Sequence, residues 1–390
     1  MNSWWMLLLP VAATCGWYSA AKQAGLSLTR KKMQPKFHRK YLAGLNYLLN
    51  EQPDKAVDLF TKLIEVDSET IETHLALGNL FRRRGEVDRA IRIHQNLVAK
   101  PKLERQYKSQ AVYALASDYM SAGVLDRAEG LFKELVDQGE HKQASFKALT
   151  YIYQQEKDWH QAITVAQKLA ASTENNMRPE LAHYHCELAE IALKEKDEVQ
   201  ALKYARRALT IHHQCVRASL FLSEVALSQH NEKLAIRQLQ RILTQNPDWF
   251  LLAVPMLESA YLSLNKSHEL IAYLHDVLDE FPHMPLIVTL SELIRKHQGD
   301  QAALSFVSEH VKENPSLVGI RDLLHLQLLN KHEDAREDLS ILHTLTDRLV
   351  HDKSNYHCVN CGYDGNTLHW QCPSCKQWDT NKPAYLVDDD

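Results

Sequence analysis

Residues 77–95 read LGNLFRRRGEVDRAIRIHQ, and this stretch has a spacing that recurs along most of the chain. Four positions in it repeat a pattern found 34 residues earlier: Gly78, Phe81, Ala90 and His94, and before them Gly44, Tyr47, Ala56 and Phe60. The dipeptide Gly85-Glu86 falls between the two halves of the unit, and Gly123-Val124 falls at the same place one unit later. A period of this length predicts two antiparallel helices per unit, joined at the glycine.

Four further units continue the series: Ala116, Tyr119, Ala128 and Phe132; Tyr153, Ala162 and Ala166; Ala189, Ala192, Ala201 and Ala205; Ser223, Ala226, Ala235 and Leu239 with Pro247. Small residues occur where two helices must cross closely, and larger apolar residues lie between units. The pattern is that of the tetratricopeptide repeat. It predicts an all-α fold in which residues 37–350 stack into a superhelix with a concave groove.

Six of these units are clear, and two or three degenerate ones follow Pro247. The seventh and eighth units have these matches: Tyr261, Leu270, Leu274 and Pro282; Ile294, Gly299, Ala303, Val307 and Pro315. Residues 323–342 are predicted to form a ninth unit or a capping pair of helices.

Composition agrees with a helical repeat protein. Only 12 Gly and 12 Pro occur in 390 residues, which favours an all-helical chain. The 45 basic and 49 acidic residues nearly balance, so the body as a whole is not expected to bind nucleic acid. Three of the seven cysteines, Cys15, Cys186 and Cys215, are isolated in apolar surroundings, as expected of small core residues in a reducing compartment.

The N-terminus has the pattern of a membrane anchor. Residues 1–21 carry no charge and are just long enough to span a bilayer, with tryptophans near both ends. No basic residue precedes this run and seven follow it before Tyr41, which favours a body on the cytoplasmic side. Residues 22–36 are then a basic linker that either contacts anionic lipid head groups or is simply solvated. A buried helix or a cleaved signal peptide is the alternative for residues 1–21.

Near the C-terminus, two C-x-x-C pairs are separated by ten residues: Cys358 and Cys361, then Cys372 and Cys375. Thiolate pairs at this spacing can turn both sulfurs toward one ion, and two pairs complete a tetrahedral site for one zinc or iron ion. Residues 354–390 number 37, too few for a self-sufficient core, so metal binding would supply much of their folding energy. Two disulfides, or thiols in unrelated places, are the alternatives.

Cys361-Gly362-Tyr363 and the second pair, CPSC, resemble the metal-binding knuckles of rubredoxin. The short gap between the pairs departs from that family, and so does Lys376, which stands where a second glycine is expected. These departures favour a compact zinc-ribbon or shortened rubredoxin-like module over an electron carrier. Four aromatic residues are expected to shield the sulfurs: Tyr356, Tyr363, Trp370 and Trp378.

The sequence contains no phosphate-binding loop, no nucleophile elbow, no dinucleotide fingerprint and no zincin motif, so no catalytic residue is predicted. The run His183-Tyr184-His185-Cys186 contains three residue types that can bind metals. Adjacent residues on a helix point in different directions, however, so this run is not expected to form one ligand set.

In order and over its whole length, the chain resembles the lipopolysaccharide assembly protein B family of Gram-negative bacteria. The resemblance rests on four stretches: LLLPVAATCGWY (7–18), QPDKAVDL (52–59), LGNLFRRRGEVDRAIRIHQ (77–95) and HWQCPSCKQWDTNKP (369–383). It implies an inner-membrane adaptor, not an enzyme, that lowers lipopolysaccharide output. The implied partners are the membrane protease FtsH and the UDP-3-O-acyl-N-acetylglucosamine deacetylase of lipid A synthesis, whose degradation it promotes. Other lipopolysaccharide synthesis or transport enzymes are further implied partners, and self-association is left open.

Two other functions are compatible with the same residues. The knuckles could hold an iron ion that transfers one electron, or the groove of the repeats could bind peptide tails in general. The residues of the groove that would contact a partner are not predicted.

Overall fold

The computed structural model describes residues 43, 44, 46, 47, 55, 59, 71–101, 103–172, 176–330, 336–351 and 354–384. The predicted anchor (1–21), the basic linker (22–36) and most of the first repeat lie outside these residues. Within the described ranges, no helix has the length and apolar character needed to cross a membrane. The chain divides into two compact units, Met1–Ile152 and Tyr153–Asp390.

Helices account for nearly all of the described chain up to His351. They are, in order, α1 (Ile71–Arg83), α2 (Val87–Val98), α3 (Arg105–Ser121), α4 (Leu125–Gln138), α5 (Lys142–Glu156), α6 (Trp159–Ser172), α7 (Arg178–Lys194), α8 (Glu198–Ile211), α9 (Val216–Ser228), α10 (Glu232–Gln245), α11 (Val254–Ser263), α12 (Ser267–Glu280), α13 (Met284–Gln298), α14 (Asp300–Glu313), α15 (Leu317–Asn330) and α16 (Arg336–His351). A 3₁₀ helix, Pro247–Leu252, lies between α10 and α11.

The small residues of the repeat are where the pattern predicted them, at helix crossings. Six alanines at equivalent positions have no solvent-exposed surface: Ala90, Ala128, Ala162, Ala201, Ala235 and Ala303. In the second repeat, a Cβ added to Gly78 would overlap the imidazole of His94, which shows how closely α1 approaches α2. His94 is buried, and its imidazole pairs with the buried carboxylate of Asp118. Asp118 also accepts a hydrogen bond from Arg82.

The turn between the two helices of a unit requires a backbone with positive φ. Gly85 (+80°) and Gly123 (+74°) supply it in two units, as expected of a left-handed residue that ends a helix. The later units use residues that carry a side chain at this place: Lys157, Lys196, His230 and Asn265. The requirement is therefore conformational, and glycine is only the residue that meets it with the least strain.

The C-terminal module is a small antiparallel sheet. Strand β1 (Tyr356–Cys358) lies between β2 (Asp364–Gly365) and β3 (Asn381–Pro383), in the order β2-β1-β3. Tyr356 is paired with Gly365 on one side and with Pro383 on the other. The pairing of β1 with β3 brings the start and the end of the module together, and the first cysteine of the cluster, Cys358, is the last residue of β1.

Candidate metal centre

Each C-x-x-C pair forms a tight turn closed by two backbone hydrogen bonds. In the first, the N–H of Cys358 donates to Tyr363 O (2.8 Å) and the N–H of Gly362 donates to Cys358 O (2.9 Å). The second turn repeats both bonds with Cys372, Gln377 and Lys376. Gly362 (φ +74°) and Lys376 (φ +60°) occupy equivalent left-handed positions. The lysine that replaces the expected glycine therefore adopts the glycine's conformation.

The two turns bring the four cysteine sulfurs into one cluster. All four Sγ atoms lie within 4.8 Å of one another. The Sγ atoms of Cys358 and Cys375 are 3.8 Å apart, and those of Cys361 and Cys372 are 3.7 Å apart. A regular tetrahedron with metal–sulfur bonds of about 2.3 Å has edges of about 3.8 Å, so the cluster fits a tetrathiolate ion. The four thiols are free and lie next to one another. Both alternatives considered from the sequence, two disulfides and thiols in unrelated places, are therefore excluded.

Hydrogen-bond donors aimed at the sulfurs prepare the cluster for a cation. Burial raises the pKa of Cys358, but the Thr380 hydroxyl and the N–H groups of Asn360 and Cys361 outweigh it and lower that pKa to about 6. The Thr380 oxygen is 3.3 Å from this sulfur. Burial raises the pKa of Cys372 to about 11. Because a metal binds the thiolate form, a bound cation would supply the charge that ionises the buried thiol.

Two of the four aromatic residues predicted to shield the sulfurs, Trp370 and Trp378, contact the repeats. The Trp378 ring stacks on His183 with centroids 4.8 Å apart. It also meets Trp159 edge-on at 6.2 Å and Tyr184 at 5.9 Å. Trp370 packs on Trp249, 5.1 Å away, in the 3₁₀ helix. The aromatic side chains of the module thus pack against helices of the second compact unit, Tyr153–Asp390.

Polar contacts surround these rings. Gln154 Oε1 accepts hydrogen bonds from Trp378 Nε1 (3.1 Å) and Gln371 Nε2 (2.9 Å). Asp379 Oδ2 lies 2.7 Å from the Nε2 atom of His183. A further ion pair joins Lys382 Nζ to Asp248 Oδ2 at 2.8 Å. These bonds give the aromatic interface one defined orientation.

The run 183–186 is buried, and its members face different neighbours, as predicted. His183 contacts the module, and Cys186 Sγ lies 3.9 Å from Cys215 Sγ. The two cysteines interpreted as isolated therefore form a buried thiol pair. Among the described residues, the only group of three or more potential ligands is the four-cysteine cluster.

Arg217 was not singled out from the sequence. Its guanidinium is buried between Glu187 and Glu190, with Nη2–Oε1 distances of 2.8 and 2.6 Å, and lies 5.9 Å from the centre of the Trp378 ring. Although burial opposes the charge of Arg217, its pKa is raised because Cys186 and the two glutamates favour the protonated form. An arginine at a helix start carries no distinctive signal in a repeat sequence. Only the fold therefore reveals that Arg217 contacts the metal module through Trp378.

Comparison with known proteins finds matches for the repeats, for the C-terminal module and for the chain as a whole. Residues 356–383 match the family model described as a rubredoxin metal binding domain, and residues 73–106 match the tetratricopeptide repeat. Lipopolysaccharide assembly protein B of Escherichia coli strain K12 is 35% identical over 383 residues, covering 98% of each chain. The Haemophilus influenzae protein of the same name is 36% identical over 389 residues, covering 97% of each.

Proposed function

The chain belongs to the lipopolysaccharide assembly protein B family, and on that basis we propose that it is a non-enzymatic adaptor in lipopolysaccharide assembly. In this proposal it binds the deacetylase that commits precursor to lipid A and brings it to the membrane protease FtsH for degradation. Its presence then lowers lipopolysaccharide output, and the same repeats gather other synthesis enzymes at the membrane. The repeat fold supports a binding role, because stacked helix pairs offer long surfaces to other proteins.

We also propose that residues 1–21 anchor the chain in the inner membrane and leave the repeats in the cytoplasm. The support is the uncharged run of 21 residues followed by a basic linker. A tether of this kind raises the concentration of the repeats near membrane-bound partners without adding contacts.

In this proposal the metal has a structural role. Cys358, Cys361, Cys372 and Cys375 would hold one zinc or iron ion, and the ion would supply folding energy that a small sheet lacks. One observation carries the adaptor proposal, namely the cleft that the folded module forms together with the repeats. The module forms one wall of this cleft of about 400 Å³, whose other walls come from α7, α9, α11 and the 3₁₀ helix.

The lining of this cleft suits a segment of polypeptide. Apolar side chains, including Leu220, Met256 and Trp370, line it together with the charged groups of Glu224 and Lys194. Apolar contacts bordered by charges are typical of protein recognition surfaces. Because Trp370 belongs to the module, loss of the metal would remove part of the cleft as well as the sheet.

The half-life of the deacetylase in cells tests the adaptor proposal. Removing the chain should lengthen that half-life, and the intact chain should restore it. Glu224→Lys reverses an exposed charge in the cleft and should lengthen the half-life without unfolding the protein. Glu195→Lys makes the same change at an exposed position that does not line the cleft, and should act as wild type. An unchanged half-life in cells lacking the chain would refute the adaptor role.

A second function is favoured by one observation, the match of residues 356–383 to a rubredoxin metal binding domain. In this alternative, the four sulfurs hold iron that takes up and releases one electron. A purified protein with visible absorbance that is reversibly bleached by reductant would support it. A colourless zinc form that sustains normal deacetylase turnover would rule it out.

A further inference from the structure

The last helix of the repeats, α16 (Arg336–His351), has an apolar outer face. Four large side chains on it are more than half exposed: Ile341 (54%), Leu342 (51%), Leu345 (51%) and Leu349 (58%). The terminal unit of a repeat array ordinarily has a polar outer face, because no further unit covers it. A row of exposed aliphatic side chains on a terminal helix therefore indicates a contact surface.

The four side chains lie along one stripe of the helix. Ile341, Leu345 and Leu349 are spaced by four residues, so they follow one another along the same face, and Leu342 lies beside them. Asp338 is exposed on this stripe one turn before Ile341, and Arg348 is exposed at its border near the other end. The stripe thus has an acidic end, an apolar middle and a basic end.

We propose that two copies of the chain associate through α16, with the two helices antiparallel across a two-fold axis. This arrangement brings Ile341 of one copy against Leu345 of the other and places Asp338 opposite Arg348, each contact occurring twice. A surface that is complementary to itself in this way is what a two-fold interface requires. Antiparallel packing also places the positive end of each helix dipole beside the negative end of the other. The proposal does not depend on the adaptor role.

Charge reversal tests both the surface and the orientation. Two differently tagged full-length chains are co-expressed, and recovery of one with the other is measured after detergent extraction. Asp338→Arg places a basic group opposite Arg348 of the second copy, and Arg348→Asp places an acidic group opposite Asp338, so each variant should self-associate about tenfold less than wild type. When the two variants are mixed, every pair across the axis is again opposite in charge. The mixed pair should therefore recover near wild-type association, and so should the doubly substituted chain.

Two further variants complete the test. Leu345→Glu puts a charge in the centre of the stripe and should abolish self-association, while Ser340→Arg changes an exposed position on the polar side of α16 and should leave it intact. Equal thermal stability of all variants shows that folding is not the cause. Absence of self-association in the wild type would overturn the proposal. It would also be overturned if the mixed pair stayed apart, or if Leu345→Glu released a different protein while leaving self-association unchanged.

Discussion

Replacement of Trp378 by alanine should release the metal module from the repeats without unfolding it. The side chain stacks on His183, meets Trp159 and Tyr184, and donates a hydrogen bond to Gln154. Truncating a fully buried tryptophan costs about 3–5 kcal/mol, and this one is partly exposed, so about 2 kcal/mol of packing is lost. The lost N–H bond adds about 1 kcal/mol. Together, about 3 kcal/mol raises the undocked population about a hundredfold.

Limited proteolysis of the full-length protein measures this population, because cleavage within the module requires undocking when opening is faster than cleavage. The rate should rise about a hundredfold in Trp378→Ala, while metal content per chain stays unchanged because all four sulfurs remain. Trp378→Phe keeps a ring on His183 and loses the hydrogen bond, so its rate should rise about fivefold. If cleavage in Trp378→Ala matched wild type, the aromatic contacts would not be what docks the module. If metal were lost together with docking, the module would not hold the ion by itself.

Three other changes probe the centre and the core. Cys372→Ser should release the metal and unfold residues 354–384 while the repeats stay helical. Retention of one metal ion per chain would contradict the structural role of the four-cysteine site. Lys376→Gly should stabilise the metal-loaded module by about 0.5–1 kcal/mol, because φ of +60° suits glycine, and a lower denaturant midpoint would contradict this. Burial lowers the pKa of His185 to about 4 from 6.5, so its contribution to stability is complete above pH 6.5 and is lost as pH falls toward 4. His185→Gln should flatten the unfolding free energy over that interval, and an identical pH dependence would contradict the assignment.

The local features of the chain could be predicted from sequence because each depends on spacing within a few dozen residues. Close approach of two helices needs a small side chain at one position per unit, and Ala90 and its equivalents supply it. A cysteine turn needs two thiols three positions apart, followed by a left-handed residue, and Cys358 to Gly362 meet that need. Even Lys376, which breaks the glycine pattern, follows the conformation that the turn imposes.

The sequence by itself determined the helical repeats, the four-cysteine cluster and the family. Only the tertiary structure decided where the module docks, that Cys186 meets Cys215, and which helix face stays uncovered. His183 and Asp379, for example, are 196 positions apart and are joined by a contact that no local spacing encodes. A tryptophan can pack equally well on its own sulfurs or on a distant helix. The choice depends on which surfaces the folded chain brings together, and stacked repeats fix those surfaces only once they are assembled.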